Sequence, residues 1–138
     1  MFGIGANYDG HGDMTEDFLE HGLACIGWPY NEAPSLHEIM RSFQVGDIIY
    51  IKSHPPHIGL IVKAIGIVED SEVRPLEGHG QACVRVNWIW RGPAVTIGHV
   101  HDRYNVRNNT LYEEWNPDIR TRILNLLLNR EQQLAAQA

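Results

Sequence analysis

The sequence predicts an α+β fold: a curved, mostly antiparallel sheet bent into a half-barrel, with short helices early and a longer helix at the end. Three observations lead there. The middle of the chain is a series of β-branched, aromatic and apolar runs separated by only a few turn residues. Helix signals are confined to short segments before residue 45 and to one segment that starts at residue 116. A chain of 138 residues, 43% hydrophobic and free of repeats or linkers, suits a single domain over residues 1–138.

The elements follow in order. Residues 2–6 read as a short glycine-rich strand. Asp13 and Glu16 frame a capping box ahead of Phe18 and Leu19, and Gly22 supplies a stop, so a short helix is expected between them. The apolar run 23–28 ends in turn residues and reads as a strand. A second capping box, Ser35 with Glu38, opens a helix that puts Leu36, Ile39, Met40 and Phe43 on one face.

A turn at 44–47 launches the strand 48–52, which the histidine–proline segment 54–57 breaks. The run 58–69 is apolar on both alternating sets, the mark of a central strand buried on both faces, and Gly66 offers a bulge. Residues 70–80 are polar and glycine-rich and are expected to be a loop. Within 83–90, Val84, Val86, Trp88 and Trp90 share one face, while Arg85, Asn87 and Arg91 fall on the other. Asn116, Pro117 and Asp118 begin a final helix over 116–136, with Ile119, Ile123, Leu127 and Leu134 as its buried stripe. Leu124, Leu126 and Leu128 widen that stripe, so the helix either packs on its own sheet or docks on a second copy or a partner protein.

Composition excludes several classes. Apolar content is ordinary and charge modest, which argues against disorder. The longest apolar run, 58–67, is interrupted by Lys63 and too short to span a bilayer, so no membrane association is expected. The first residues lack a basic region and a secretory apolar segment. Cys25 and Cys83 sit in apolar stretches without a CxxC pair and read as reduced core thiols of a cytoplasmic protein, a disulfide being the alternative.

The net charge of −6 argues against phosphate-driven nucleic-acid binding. Its distribution is uneven. Residues 1–40 hold seven acids and no Lys or Arg, whereas residues 74–107 hold Arg74, Arg85, Arg91, Arg103 and Arg107 against Glu77 and Asp102. Two solvated faces would look like this, and so would a basic rim beside a ligand pocket.

Catalytic and metal patterns are weak. Gly3 and Gly5 do not extend to GxGxxG, there is no phosphate-binding GxxxxGK[ST], and Ser53 meets His54 only as a sequence neighbour. Cys25 has no positive neighbour to activate it. His54 and His57 flank two prolines, and His99, His101 and Asp102 put three donors near a strand end. No cysteine lies at metal-site spacing from a histidine and HExxH is missing, so these histidines read as polar surface, with neither metal nor cofactor expected. The reading is a binding module rather than an enzyme.

Aromatic residues are more informative. Trp28, followed by Pro29 and Tyr30, closes one strand, and Asn7 with Tyr8 follows the first. An indole, a phenol and an amide at neighbouring strand ends can stack on a flat ring and bond its polar edge, although a lone Trp is more often core packing.

Three segments together resemble the PUA-like superfamily, and within it the EVE and YTH domains. They are the opening strand with its polar-aromatic pair, residues 2–8; the helix and strand ending in tryptophan, residues 17–28; and the central Val45-Gly-Asp-Ile-Ile-Tyr-Ile-Lys-Ser53 followed by the glycine-containing run 58–68. The resemblance covers roughly residues 2–90. It implies a small curved β-barrel whose pocket, at strand ends, takes a single, often modified, base flipped out of DNA or RNA. By position, Trp28 resembles the stacking tryptophan of that family. Asn7 and Tyr8 match the residues lining the pocket after the first strand, and Lys52 and Ser53 the end of the strand after the Gly-Asp turn. Tyr30 is expected beside them, with Arg85, Arg91, Arg103 and Arg107 holding flanking phosphates. The same pocket could instead serve a free nucleoside-like ligand, which the acidic N-terminal segment favours.

Overall fold

The computed structural model describes residues 1–8, 12–103 and 105–128. In chain order these residues form β1 (Phe2–Gly5), β2 (Asn7–Tyr8), β3 (Gly12–Asp13), α1 (Thr15–His21), β4 (Leu23–Ile26) and α2 (Pro34–Arg41). There follow β5 (Ile48–Ser53), β6 (Leu60–Leu76), β7 (Gly80–Trp90), β8 (Val95–Gly98), β9 (Leu111–Glu113) and α3 (Pro117–Leu127). The protein is α+β, as expected, with a mostly antiparallel seven-stranded sheet in the order β4-β7-β6-β5-β1-β9 and β8 beside β6. Only β1 and β5 run parallel; β2 and β3 form a separate ribbon. The described pairing runs open from β4 to β9 and does not close into a barrel.

Alternation along the strands gives the sheet two cores. On β5, Ile49 and Ile51 face a cluster with Phe2, Ile4, Phe18, Met40 and Val86, whereas Tyr50 between them joins Leu60, Val62, Ile65, Tyr112 and Ile123. Helices α1 and α2 cover the first cluster and α3 the second. Burial of β6 on both faces follows from this arrangement, as its two apolar sets required. On β7, Val84, Val86, Trp88 and Trp90 are buried while Arg85, Asn87 and Ile89 are exposed, the alternation read from the sequence. The β6–β7 register shifts at Gly66, where a Cβ would come within 2.8 Å of Trp88. The absent side chain lets the bent strands approach.

The helices begin differently from expectation. Asp13 accepts from the Thr15 amide and hydroxyl, but the N-cap of α1 is Met14 and no capping box forms. In α2, Pro34 occupies the first turn and Ser35 lies inside the helix, so the N-cap is Ala33. The stop at Gly22 holds: its φ of 65° is the left-handed conformation glycine adopts without steric cost. Asn116 caps α3 by accepting from the amides of Asp118 and Ile119. That helix buries Ile119, Ile123, Leu126 and Leu127 on its own sheet and leaves Leu124 and Leu128 exposed. Positions 129–136 of the expected helix, with Leu134, lie outside the described residues.

Two expectations are corrected. Residues 70–76 are not loop but the outer half of β6, and the turn to β7 is only residues 77–79. The segment is polar because much of it faces solvent, with Glu72, Arg74 and Pro75 exposed, while Val73 and Leu76 pack against the first core cluster. Cys25 and Cys83 are not free thiols. They stand directly opposite in the β4–β7 register and are joined by a disulfide, so the argument from reduced thiols to the cytoplasm loses its premise. No helix among the described residues is long and apolar enough to cross a membrane.

Candidate ligand-binding site

Strand β1 stops at Gly5, whose amide donates to the Thr110 carbonyl at 2.7 Å, and the chain turns through Ala6 into β2 with Asn7 and Tyr8. Strand β4 stops at Ile26, leaving Gly27 and Trp28 beyond the ladder. The tip of the β6–β7 hairpin completes the group. Asn7, Tyr8, Gly27, Trp28, His79 and Thr110 all line one cavity of about 970 Å³, with Glu32, Glu77 and Gln81 adding polar wall.

The placement of each side chain has a local cause. Trp28 is 41% exposed, so its indole is available rather than consumed in the core. Its carbonyl accepts from Nε2 of the buried His37 at 2.7 Å, which ties the chain after β4 to α2. Gly27 lies against Tyr8: a Cβ there would stand 3.0 Å from the phenol ring. Tyr8 meets Phe18 edge-on at 6.2 Å. Burial, and then the charge of Asp17, push the Tyr8 hydroxyl well above its usual range, so the phenol stays neutral in ordinary buffers.

The other expected site residues lie elsewhere. Lys52 is buried and donates through Nζ to the Arg107 carbonyl at 2.9 Å; burial lowers its pKa to about 8. Ser53 ends β5 outside the cavity wall. Tyr30 is exposed in the turn before α2 and packs on that helix, its hydroxyl donating to Glu38 and Arg41 lying 5.3 Å over its ring. Arg85, Arg91 and Arg103 are exposed, but none lines the cavity. Arg107 is corrected outright. It is 2% exposed and bonded to Asp102 and Glu114, so it has no surface to offer a phosphate.

Histidines 54, 99 and 101 share a second cavity of about 300 Å³, in which the His54 and His99 rings meet edge-on at 6.0 Å. Asp102, grouped with them from the sequence, is bonded to Arg107 instead. Reading from the sequence missed the hairpin tip, because residues 77–81 carry no motif and come to the cavity only through the long β6–β7 pairing. No protein-family model, curated protein or solved structure matches the chain.

Proposed function

We propose that the cavity binds a flat heteroaromatic ring and that the protein is a non-catalytic reader of a modified or flipped nucleobase in DNA or RNA. The observation that carries this reading is the exposed indole of Trp28 on the same wall as Asn7 and Tyr8. Stacking on an aromatic side chain is worth about 1–3 kcal/mol per base. The exposed amide of Asn7 supplies donors and an acceptor for the ring edge, and Tyr8 adds aromatic wall beside it. A volume of about 970 Å³ holds a base with its sugar, and small-molecule sites span roughly 300–1,000 Å³. The finer fold, a PUA-like barrel, belongs to the same proposal; the Gly46-Asp47 turn ahead of the β5–β6–β7 meander supports it, as does a cavity at strand ends.

One observation favours a free nucleoside-like ligand in the same cavity. Its described wall holds Glu32 and Glu77 and neither Lys nor Arg, a poor surface for a polyanion. Calorimetric titration with modified nucleosides and with matched short oligonucleotides separates the two. The base reader binds the oligonucleotide more tightly, and the sensor binds both alike. Either way Trp28→Ala weakens binding by roughly 10-fold or more; undiminished binding by that variant removes the assignment.

A further inference from the structure

We propose that Asp17, His21 and His79 form a binding site for a divalent transition-metal ion at the rim of the cavity. Asp17 and His21 are four residues apart on α1, so one helical turn sets both side chains on the same face. His79 arrives from the turn between β6 and β7. One carboxylate oxygen and one ring nitrogen from each histidine lie within 4.8 Å of one another, the one such trio among the described residues. His79 Nδ1 is 2.7 Å from Asp17 Oδ2, His21 Nε2 is 3.6 Å from Asp17 Oδ1, and the imidazole centroids are 4.7 Å apart. Around a tetrahedral ion with bonds of about 2.0–2.2 Å the ligand atoms stand ~3.4 Å apart, so small side-chain rotations convert this contact into coordination.

The donor set names the class of ion. Two imidazoles and a carboxylate suit Zn²⁺ and its first-row neighbours, whereas Ca²⁺ and Mg²⁺ prefer oxygen throughout. Three protein ligands leave a coordination position open, as in zinc sites where the ion meets a further ligand. His79 also lines the large cavity, which puts that position at the cavity edge. All three side chains are partly exposed, so an ion can reach them from solvent. The histidines that stand out in the sequence, His54, His57, His99 and His101, form no such trio of donors among the described residues. The site stands independently of what fills the cavity.

The test uses the full chain stripped with chelator. Zn²⁺ is titrated calorimetrically, and Co²⁺ is followed by its visible ligand-field absorption. Expected are uptake of about one equivalent and a raised melting temperature, both retained in His54→Ala/His99→Ala. His21→Ala, His79→Ala and His79→Gln each lose affinity by roughly 10-fold or more, the loss that even outer partners of a metal ligand can cause. Far-UV circular dichroism verifies that the variants fold, and the exposed His21 secures at least one that does. Absence of stoichiometric uptake overturns the proposal. So does uptake that survives both the His21 and His79 changes, or that disappears in the His54→Ala/His99→Ala control.

Discussion

Arg107 and Glu114 form an ion pair inside the protein, the guanidinium 3% exposed and the carboxylate fully buried. Arg107 Nε donates to Glu114 Oε1 at 3.0 Å, and the Tyr50 hydroxyl donates to the same oxygen at 2.8 Å. On its other edge the guanidinium makes a two-point contact with Asp102, which also accepts from Asn116, the cap of α3. The network therefore joins β5, β9 and the start of α3.

Removing one partner of such a pair leaves a buried charge without compensation, at a cost of about 3–5 kcal/mol. Glu114→Gln should fall near the lower end, because Asp102 still faces Arg107. Arg107→Met should fall near the upper end, because it strands two carboxylates. Urea unfolding at neutral pH measures both. A loss below about 1 kcal/mol in Arg107→Met would mean that the network is not needed for the fold.

Lys52 makes stability depend on alkaline pH. Burial lowers its pKa to about 8 from an ordinary 10.5, so the folded state gives up the proton first. Below pH 8 both states are charged and the cost of the buried ammonium is fully present. Between about 8 and 10.5 the unfolded chain holds more protons, and stability rises with pH. Relative to Lys52→Met, the native protein should gain about 3 kcal/mol across that window. Parallel stability curves for the two proteins would contradict this.

The Cys25–Cys83 bond closes a loop of 58 positions. On the chain-entropy argument, Cys83→Ser lowers stability by about 4 kcal/mol, and reductant lowers the native protein by a similar amount. Thiol titration of the denatured, unreduced protein should find no free cysteine. Two reactive thiols would place the pair in the reduced state.

Packing of α3 on its own sheet can be measured at Ile123, which is fully buried among Tyr50, Leu60 and Tyr112. Ile123→Ala should cost about 2–5 kcal/mol at every protein concentration. A loss that shrinks as concentration rises would point to a second chain completing the core.

What was legible in the sequence depended on distance along it. The alternation at Val84, Val86, Trp88 and Trp90 is a local signal, and β7 shows it unchanged. Trp28, Asn7 and Tyr8 stood out because each follows a strand end, and they do share a cavity wall. Residues 70–76 look like loop in the sequence because only Val73 and Leu76 reach the core while pairing with β7 holds the rest extended, and such pairing leaves no mark on composition. Arg107 looked like surface charge because nothing in its neighbourhood announces that Glu114 and Asp102 turn inward with it. The pairing of Cys25 with Cys83, and the approach of His79 to Asp17, arise only once β4, β6 and β7 are aligned.

Strand β1 lies between β5, which it joins in parallel, and β9, where Ile4 pairs with Leu111. Strand β1 therefore has no partner in this sheet until residues 48–53 are made, and only one until residues 111–113 are made. On the ribosome, Phe2 and Ile4 would have a ladder on one side only until residues 111–113 emerge. Such long-range closure slows folding. Pulse-labelling of stalled nascent chains should find β1 fully protected from exchange only after β9 has left the exit tunnel, which makes it among the last strands to be locked in place.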